Sequence, residues 1–336
     1  MFLILGGLGL LVLAGLVTAV AWMVWMPGHS APWPVPPLTE REVEFAEQLE
    51  KDVRALSQEV GPRHMGRPQS LQAAREHIEL RFAQSGYEPG HHTYTLGGAG
   101  APRFAGREGV NVVAELPGTQ RPDEIVIIGA HYDTVPGSPG ANDNASGVAV
   151  LLALAERFRE RPQPRTVRFI AFTNEEPPFY KTDDMGSFAY AREARQRGDN
   201  IVAMVSLDGV GYYSDAPGSQ GYPLPGLNLF YPDRGHFIGF VTRVRDAALL
   251  RRAIGAFREQ ADLPSQGAAL PGWLAVDRSD HWAFWQHGYS AMLVTDTLPF
   301  RDPQYHEPGD TAERLDYEAM MHLVEGLTHV LKTLAE

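Results

Sequence analysis

Five side chains at the ends of three strand-like runs could do chemistry in this sequence. His131 and Asp133 follow the apolar run Glu124–Ala130, Glu175 and Glu176 follow Thr166–Phe172, and Asp208 follows Ile201–Leu207. In open α/β sheets ligands bind beyond the carboxyl ends of strands, so these residues are expected to converge on one crevice. An acid at a strand end also commonly caps the next helix, but five such residues at three ends are poorly explained that way. His131 and Asp133 flank Tyr132 and point to one side of an extended segment. The imidazole can then be a metal ligand while the carboxylate receives its free N–H. Glu175 and Glu176 are adjacent and would repel without a nearby cation. A metal resolves this by binding one carboxylate while the other activates a water.

Further along lie two more candidate groups. Pro139–Gly147 is a turn-forming stretch ahead of an apolar helix, and its Asp143 suits a cation better than a phosphate, no Walker lysine being present. Tyr305-His306 adds a phenol and a second imidazole. Two histidines and at least three carboxylates without a single cysteine form a donor set that fits zinc, cobalt or manganese, and two metals can share a bridging carboxylate. Nucleophile chemistry is poorly supported, since there is no Cys, no G-x-S-x-G elbow and no S-x-x-K. Asn144-Ala145-Ser146 fits a glycosylation sequon, but a glycan there would obstruct the site.

The elements that must position these groups alternate between apolar strands and helical patterns, which predicts an α/β fold with a mixed, largely parallel central sheet flanked by helices. Val110–Leu116 and Ala291–Thr295 read as further strands. Helices are expected at Ala145–Arg159, Met185–Arg197, Asp246–Gln260 and Glu313–Leu334. A first helix should open on the capping box Thr39/Glu42 and run to about Val60, before Gly61-Pro62. Ala216–Leu227 and Leu263–Gly272, rich in Pro and Gly, read as surface loops forming a wall of a cleft.

Phe2–Met26 contains no charged residue. At about 1.5 Å per residue such a helix exceeds the roughly 30 Å hydrocarbon core of a bilayer, so residues 1–26 read as an uncleaved transmembrane helix with Trp22 and Trp25 near an interface. A signal peptide would carry a basic n-region, which is missing. Residues 27–37, with their prolines, read as a semi-rigid spacer holding the domain off the membrane, and 38–336 as one domain, placed extracytoplasmically. The formal charge, 29 − 41 = −12, makes nucleic acid an unlikely partner.

These residues together resemble the M28 zinc aminopeptidases. The resemblance runs in order through Val60-Gly61-Pro62-Arg63, His131-x-Asp133, Asn142–Gly147, Asn174-Glu175-Glu176, Leu207-Asp208, Ser279-Asp280-His281 and Tyr305-His306. It implies a phosphorylase/hydrolase-like fold and two zinc ions: His131 and Asp208 on one, Glu176 and His306 on the other, Asp143 bridging. It further implies Glu175 as general base, Tyr305 as donor to the oxyanion, Asp133 as the group orienting His131, and Asp280 in a supporting network. The implied substrate is a peptide with a free N-terminus. Relatives with this sheet include single-zinc glutaminyl cyclases and ligand-free binding domains, so cyclisation and a silent ectodomain are the alternatives. Glu175-Glu176 is followed here by Pro177–Ser187, a longer and proline-stiffened loop than the family's Gly-Leu-x-Gly-Ser run. Phe179, Tyr212 and Trp273 are candidates for the walls of a specificity pocket.

Overall fold

The computed structural model describes residues 14–15, 17–223, 225–272, 274 and 276–336. Most of the expected transmembrane helix, residues 1–13 and 16, lies outside the described residues, as does Trp273. Residues 17–24 are helical, with Val17, Trp22 and Trp25 exposed. Among the described residues no helix is long and apolar enough to cross a membrane.

Eight strands form one sheet: β1 (Gly90–Thr95), β2 (Glu108–Leu116), β3 (Arg121–His131), β4 (Arg165–Phe172), β5 (Asn200–Leu207), β6 (Ile238–Arg243), β7 (Ser265–Leu270) and β8 (Ala291–Thr295). Their order is β1-β2-β4-β3-β5-β8-β6-β7. The middle, β4-β3-β5-β8, is parallel, with β1 and β2 antiparallel on one side and the parallel pair β6-β7 running against β8 on the other. The expected mixed sheet is therefore present. Its helices are α1 (Glu40–Arg54), α2 (Pro68–Gln84), α3 (Gly147–Phe158), α4 (Gly186–Arg197), α5 (Ala247–Gln260), α6 (His281–Gln286) and α7 (Tyr317–Ala335).

Period-two alternation divides the strands between two cores. Val126, Ile128 and Ala130 of β3 face α1, α2, α3, α5 and α7, whereas Ile125 and Ile127 face α4 and α6. Thr39 caps α1 through the reciprocal bonds expected with Glu42. The helix then widens over Ala55–Val60 and ends at Gly61.

Two sequence expectations are corrected. Leu263–Gly272 is not a surface loop but carries β7, whose sequence SQGAAL has no β-branched residue to announce a strand. The small residues serve packing instead: a Cβ on Gly267 would meet the Met26 side chain 2.7 Å away. That contact belongs to the second correction, because residues 27–37 and their flanks are not a free spacer. Met26 is buried, Arg258 Nη1 donates to the Pro27 carbonyl (3.0 Å), the Ser265 amide donates to Ser30 Oγ (2.9 Å), and Trp33 stacks on His236 and Tyr213. Proline keeps the segment extended, and its apolar side chains find the open edge of β7 and the flank of α5.

Candidate active site

The carboxyl ends of β3, β4 and β5 lie side by side, so His131, Glu175, Glu176 and Asp208 meet as the strand-end argument expects. Asp143 comes to them on the loop between β3 and α3, and His306 from the segment between β8 and α7. Two groups of potential metal ligands result, His131/Asp143/Asp208 and Asp143/Glu176/His306, with Asp143 common to both. His131 Nε2 lies 3.2 Å from Asp143 Oδ1 and 3.3 Å from Asp208 Oδ1. His306 Nε2 lies 3.1 Å from Asp143 Oδ2 and 3.2 Å from Glu176 Oε2. One oxygen of Asp143 thus faces each imidazole. All are buried except His306, which is partly exposed.

Burial sets the electrostatics. It pushes Glu175 well above the usual carboxylate range and, with repulsion from Asp143, pushes Glu176 up to about 7. Burial also opposes charge on Asp143, but the His131 and His306 imidazoles beside it hold that carboxyl well below its ordinary value. His306 is pushed up to about 10 because Asp143 and Glu176 outweigh its burial. A cation fits here: Glu176 Oε1 and His306 Nε2 are buried without a hydrogen-bonding partner of acceptable geometry, and the donors are imidazole and carboxylate only.

The supporting contacts were less legible. Asp133 does not bond His131 through its carboxylate, which stands 3.6 Å from Nδ1; the nearer acceptor is the backbone carbonyl of Asp133, at 3.2 Å. An N–H on Nδ1 directed there leaves the Nε2 lone pair facing Asp143 and Asp208. The Asp133 carboxylate instead accepts the amides of Glu175 (3.0 Å) and Glu176 (3.1 Å), tying the end of β4 to the end of β3. Asp310, which sequence reasoning gave no role, accepts the amides of Asn142 (2.7 Å) and Asp143 (3.1 Å). Asn144 donates to the Leu207 carbonyl and accepts from the Gly209 amide, fastening the Asp143 loop to the turn that carries Asp208.

Arg63, fully buried, donates to the carbonyls of Tyr132 (2.6 Å), Pro139 (2.7 Å), Gly140 (2.8 Å) and Leu56 (3.2 Å). Gly140 has φ +62°, and a Cβ there would collide with Thr134 and with the Asp143 carbonyl, so only glycine fits the bend. Asp280 is fully buried with neither oxygen hydrogen-bonded among the described residues, and burial pushes it up to about 7.

A cleft of about 420 Å³ opens over Asp143, Glu175, Glu176, Asp208, Tyr305 and His306, with Lys181 and Arg278 at its margin. Beside it, sharing Asp208 and Arg278, lies an apolar cavity of about 130 Å³ walled by Tyr222, Leu274, Phe300 and the β6-β7 strands. Of the expected pocket walls, Phe179 packs under the Pro177–Ser187 loop against Phe104, and Tyr212 lies beneath Arg314; neither lines this cavity.

The sequence pattern described as peptidase family M28 matches residues 111–331. Uncharacterized protein YfbL of Escherichia coli (strain K12) is 38% identical over 294 residues, covering 85% of this chain and 87% of that protein. Aminopeptidase YwaD of Bacillus subtilis (strain 168) is 42% identical over 74 residues, covering 22% of this chain and 16% of that protein. Among solved structures, BSAP, a zinc aminopeptidase from Bacillus subtilis, superposes with a TM-score of 0.65 at 16% identity, covering 85% of this chain and 94% of the other. The glutaminyl cyclase of Porphyromonas gingivalis gives a TM-score of 0.60 at 19% identity, covering 86% and 97%. The chain belongs to peptidase family M28. The matched family is one of peptidases, which are hydrolases.

Proposed function

We propose that this protein is a zinc-dependent aminopeptidase that hydrolyses the N-terminal peptide bond of peptides, using two ions shared through Asp143. The observation that carries this reading is the placement of one Asp143 oxygen toward His131 and the other toward His306. His131 and Asp208 would hold one ion, Glu176 and His306 the other. Zinc bound there would supply Lewis-acid polarisation of the scissile carbonyl and of the attacking water.

The chain's own groups do the remainder. Glu175 takes a proton from the water and returns it to the leaving amine; its carboxyl stands 4.0 Å from His131 Nε2, and burial raises it above the usual carboxylate range. Tyr305, stacked on His306 with ring centroids 3.8 Å apart, keeps its proton because burial and the surrounding carboxylates raise it, and donates to the oxyanion. Five carboxylates line the cleft, Asp143, Glu175, Glu176, Asp208 and Asp277, against Lys181 and Arg278, and this excess favours an ammonium group over a carboxylate, which supports recognition of the free amino end. The adjoining apolar cavity receives the side chain of the residue to be released, favouring large apolar N-terminal residues.

The uncharged run Phe2–Met26 supports a membrane anchor as part of this reading, and the domain is placed on the extracytoplasmic side. The test is mass spectrometry of a peptide beginning Gln-Leu, incubated with the zinc-loaded protein. Stepwise shortening that an N-acetyl group blocks is the expected result. Loss of ammonia without shortening would instead identify a cyclase.

A further inference from the structure

We infer that the loop ending in Leu229-Phe230 is a second contact with the lipid bilayer, fixing how the domain sits on the membrane; this rests on the anchor reading of residues 2–26. The loop leaves Leu229 81% and Phe230 51% exposed, an adjacent apolar pair at the surface. Nine large hydrophobic side chains are exposed among the described residues, and six belong either to this loop or to Val17, Val20, Trp22 and Trp25 of the N-terminal segment.

Contacts at β7 bring the two segments together. Tyr231, next to Phe230, donates its hydroxyl to the Gly267 carbonyl at 2.8 Å. Met26 packs over the same Gly267. Met23 and Tyr231 both lie against the cluster that contains Ala268 and Leu270. The exposed apolar groups of the loop therefore emerge where the N-terminal segment leaves the domain.

The chemistry around them is that of a bilayer interface. Arg251 of α5 places its guanidinium 4.2 Å from the Trp22 ring centroid and 5.5 Å from that of Trp25. Tryptophan beside arginine, together with exposed Leu and Phe, is the composition that partitions between headgroups and acyl chains. In a protein of net charge −12, it also presents a cation where anionic lipid headgroups would lie. The continuous apolar sequence of residues 2–26 selects lipid as the occupant over a soluble partner, because the surface begins where that sequence ends. The loop is tied to the domain by its own side chains: Tyr222 packs on Tyr231 with centroids 5.9 Å apart, and Leu227 and Tyr231 line the apolar cavity.

The chain has no cysteine, so single reporters can be placed without background. Full-length Leu229→Cys, Leu80→Cys and Leu10→Cys, each carrying a nitroxide, are to be reconstituted in nanodiscs of phosphatidylethanolamine and phosphatidylglycerol. Power-saturation EPR then compares collision with oxygen, which concentrates in lipid, against a water-soluble nickel chelate. The expected result is an oxygen-to-nickel ratio several-fold higher at 229 than at 80, where the side chain is 56% exposed on α2. A lipid signal at 10 with a water signal at 229 would overturn the second contact and leave the anchor standing. Shielding of 229 from both reagents would overturn it in favour of a protein partner or a second copy. A water signal at 10 would remove the anchor reading itself.

Discussion

Glu175 and Glu176 are neighbours in sequence whose carboxylates face different tasks. Glu176 approaches His306 and Asp143, while Glu175 stands over the cleft with only a distant imidazole. Removing the proposed base without removing a proposed ligand separates the two: Glu175→Gln is expected to lower kcat by about 10²–10⁴-fold while the metal content, read by elemental mass spectrometry, stays at the wild-type level. Near-wild-type kcat in that variant would reassign the proton transfer. These two residues, with His131 and Asp208, were legible because residues at the ends of neighbouring parallel strands must meet. Asp133 was legible as a residue but not in its partner, since the amides it accepts lie 42 and 43 positions away. Arg63, reaching carbonyls 69 to 77 residues distant, carried no local signal beyond a glycine and a proline before it.

Among elements, the Asp143 loop is the one most dependent on others. Asp310→Ala removes the acceptor for two of its amides and is expected to weaken zinc binding about 10–100-fold in competition with a chelator, as loss of a supporting partner typically does. Arg63→Leu leaves several buried carbonyls without a donor and should cost about 3 kcal/mol or more in denaturant unfolding of the zinc-loaded protein.

The amino end of α6 supplies a pH effect of definite sign. Burial depresses His281 to about 4, and its Nε2 donates to the Val276 carbonyl at 2.7 Å. The unfolded chain, with an ordinary value of 6.5, takes up a proton before the folded one does. This contribution to stability is whole above pH 6.5 and is lost as pH falls toward 4. Thermal melts over that window should decline less steeply for His281→Gln than for wild type; equal slopes would remove His281 as the cause. The central strands and long helices were legible from apolar runs and helical spacing. β1, β6, β7 and α2 were not, β7 for its small residues and α2 for a weakly sided pattern that begins at Pro68.

For the whole molecule, the N-terminal segment matters beyond any tether. Composition alone separates a proline-rich stretch from a domain, yet Met26 and Ser30 complete the surface of β7, Pro27 meets the α5 flank, and Trp33 stacks on Tyr213 and His236. A protein starting at Leu38 is therefore expected to melt several degrees below one starting at Trp22, because Gly267 and Ile254 lose the Met26 side chain that covers them. Equal melting temperatures would show that these contacts add nothing to stability.

The arrangement of ligands along the chain also orders events during synthesis. His131, Asp143 and Asp208 are all present once β5 has been made, whereas Glu176 waits for His306, which follows β8. β8 lies between β5 and β6 in the sheet, so the half-built protein has a gap where the far wall of the cleft belongs. One group of ligands can thus gather while translation continues, and the phenol and imidazole of Tyr305-His306 arrive only when the sheet can close. The proposed two-ion site is therefore incomplete until the chain has been made as far as His306.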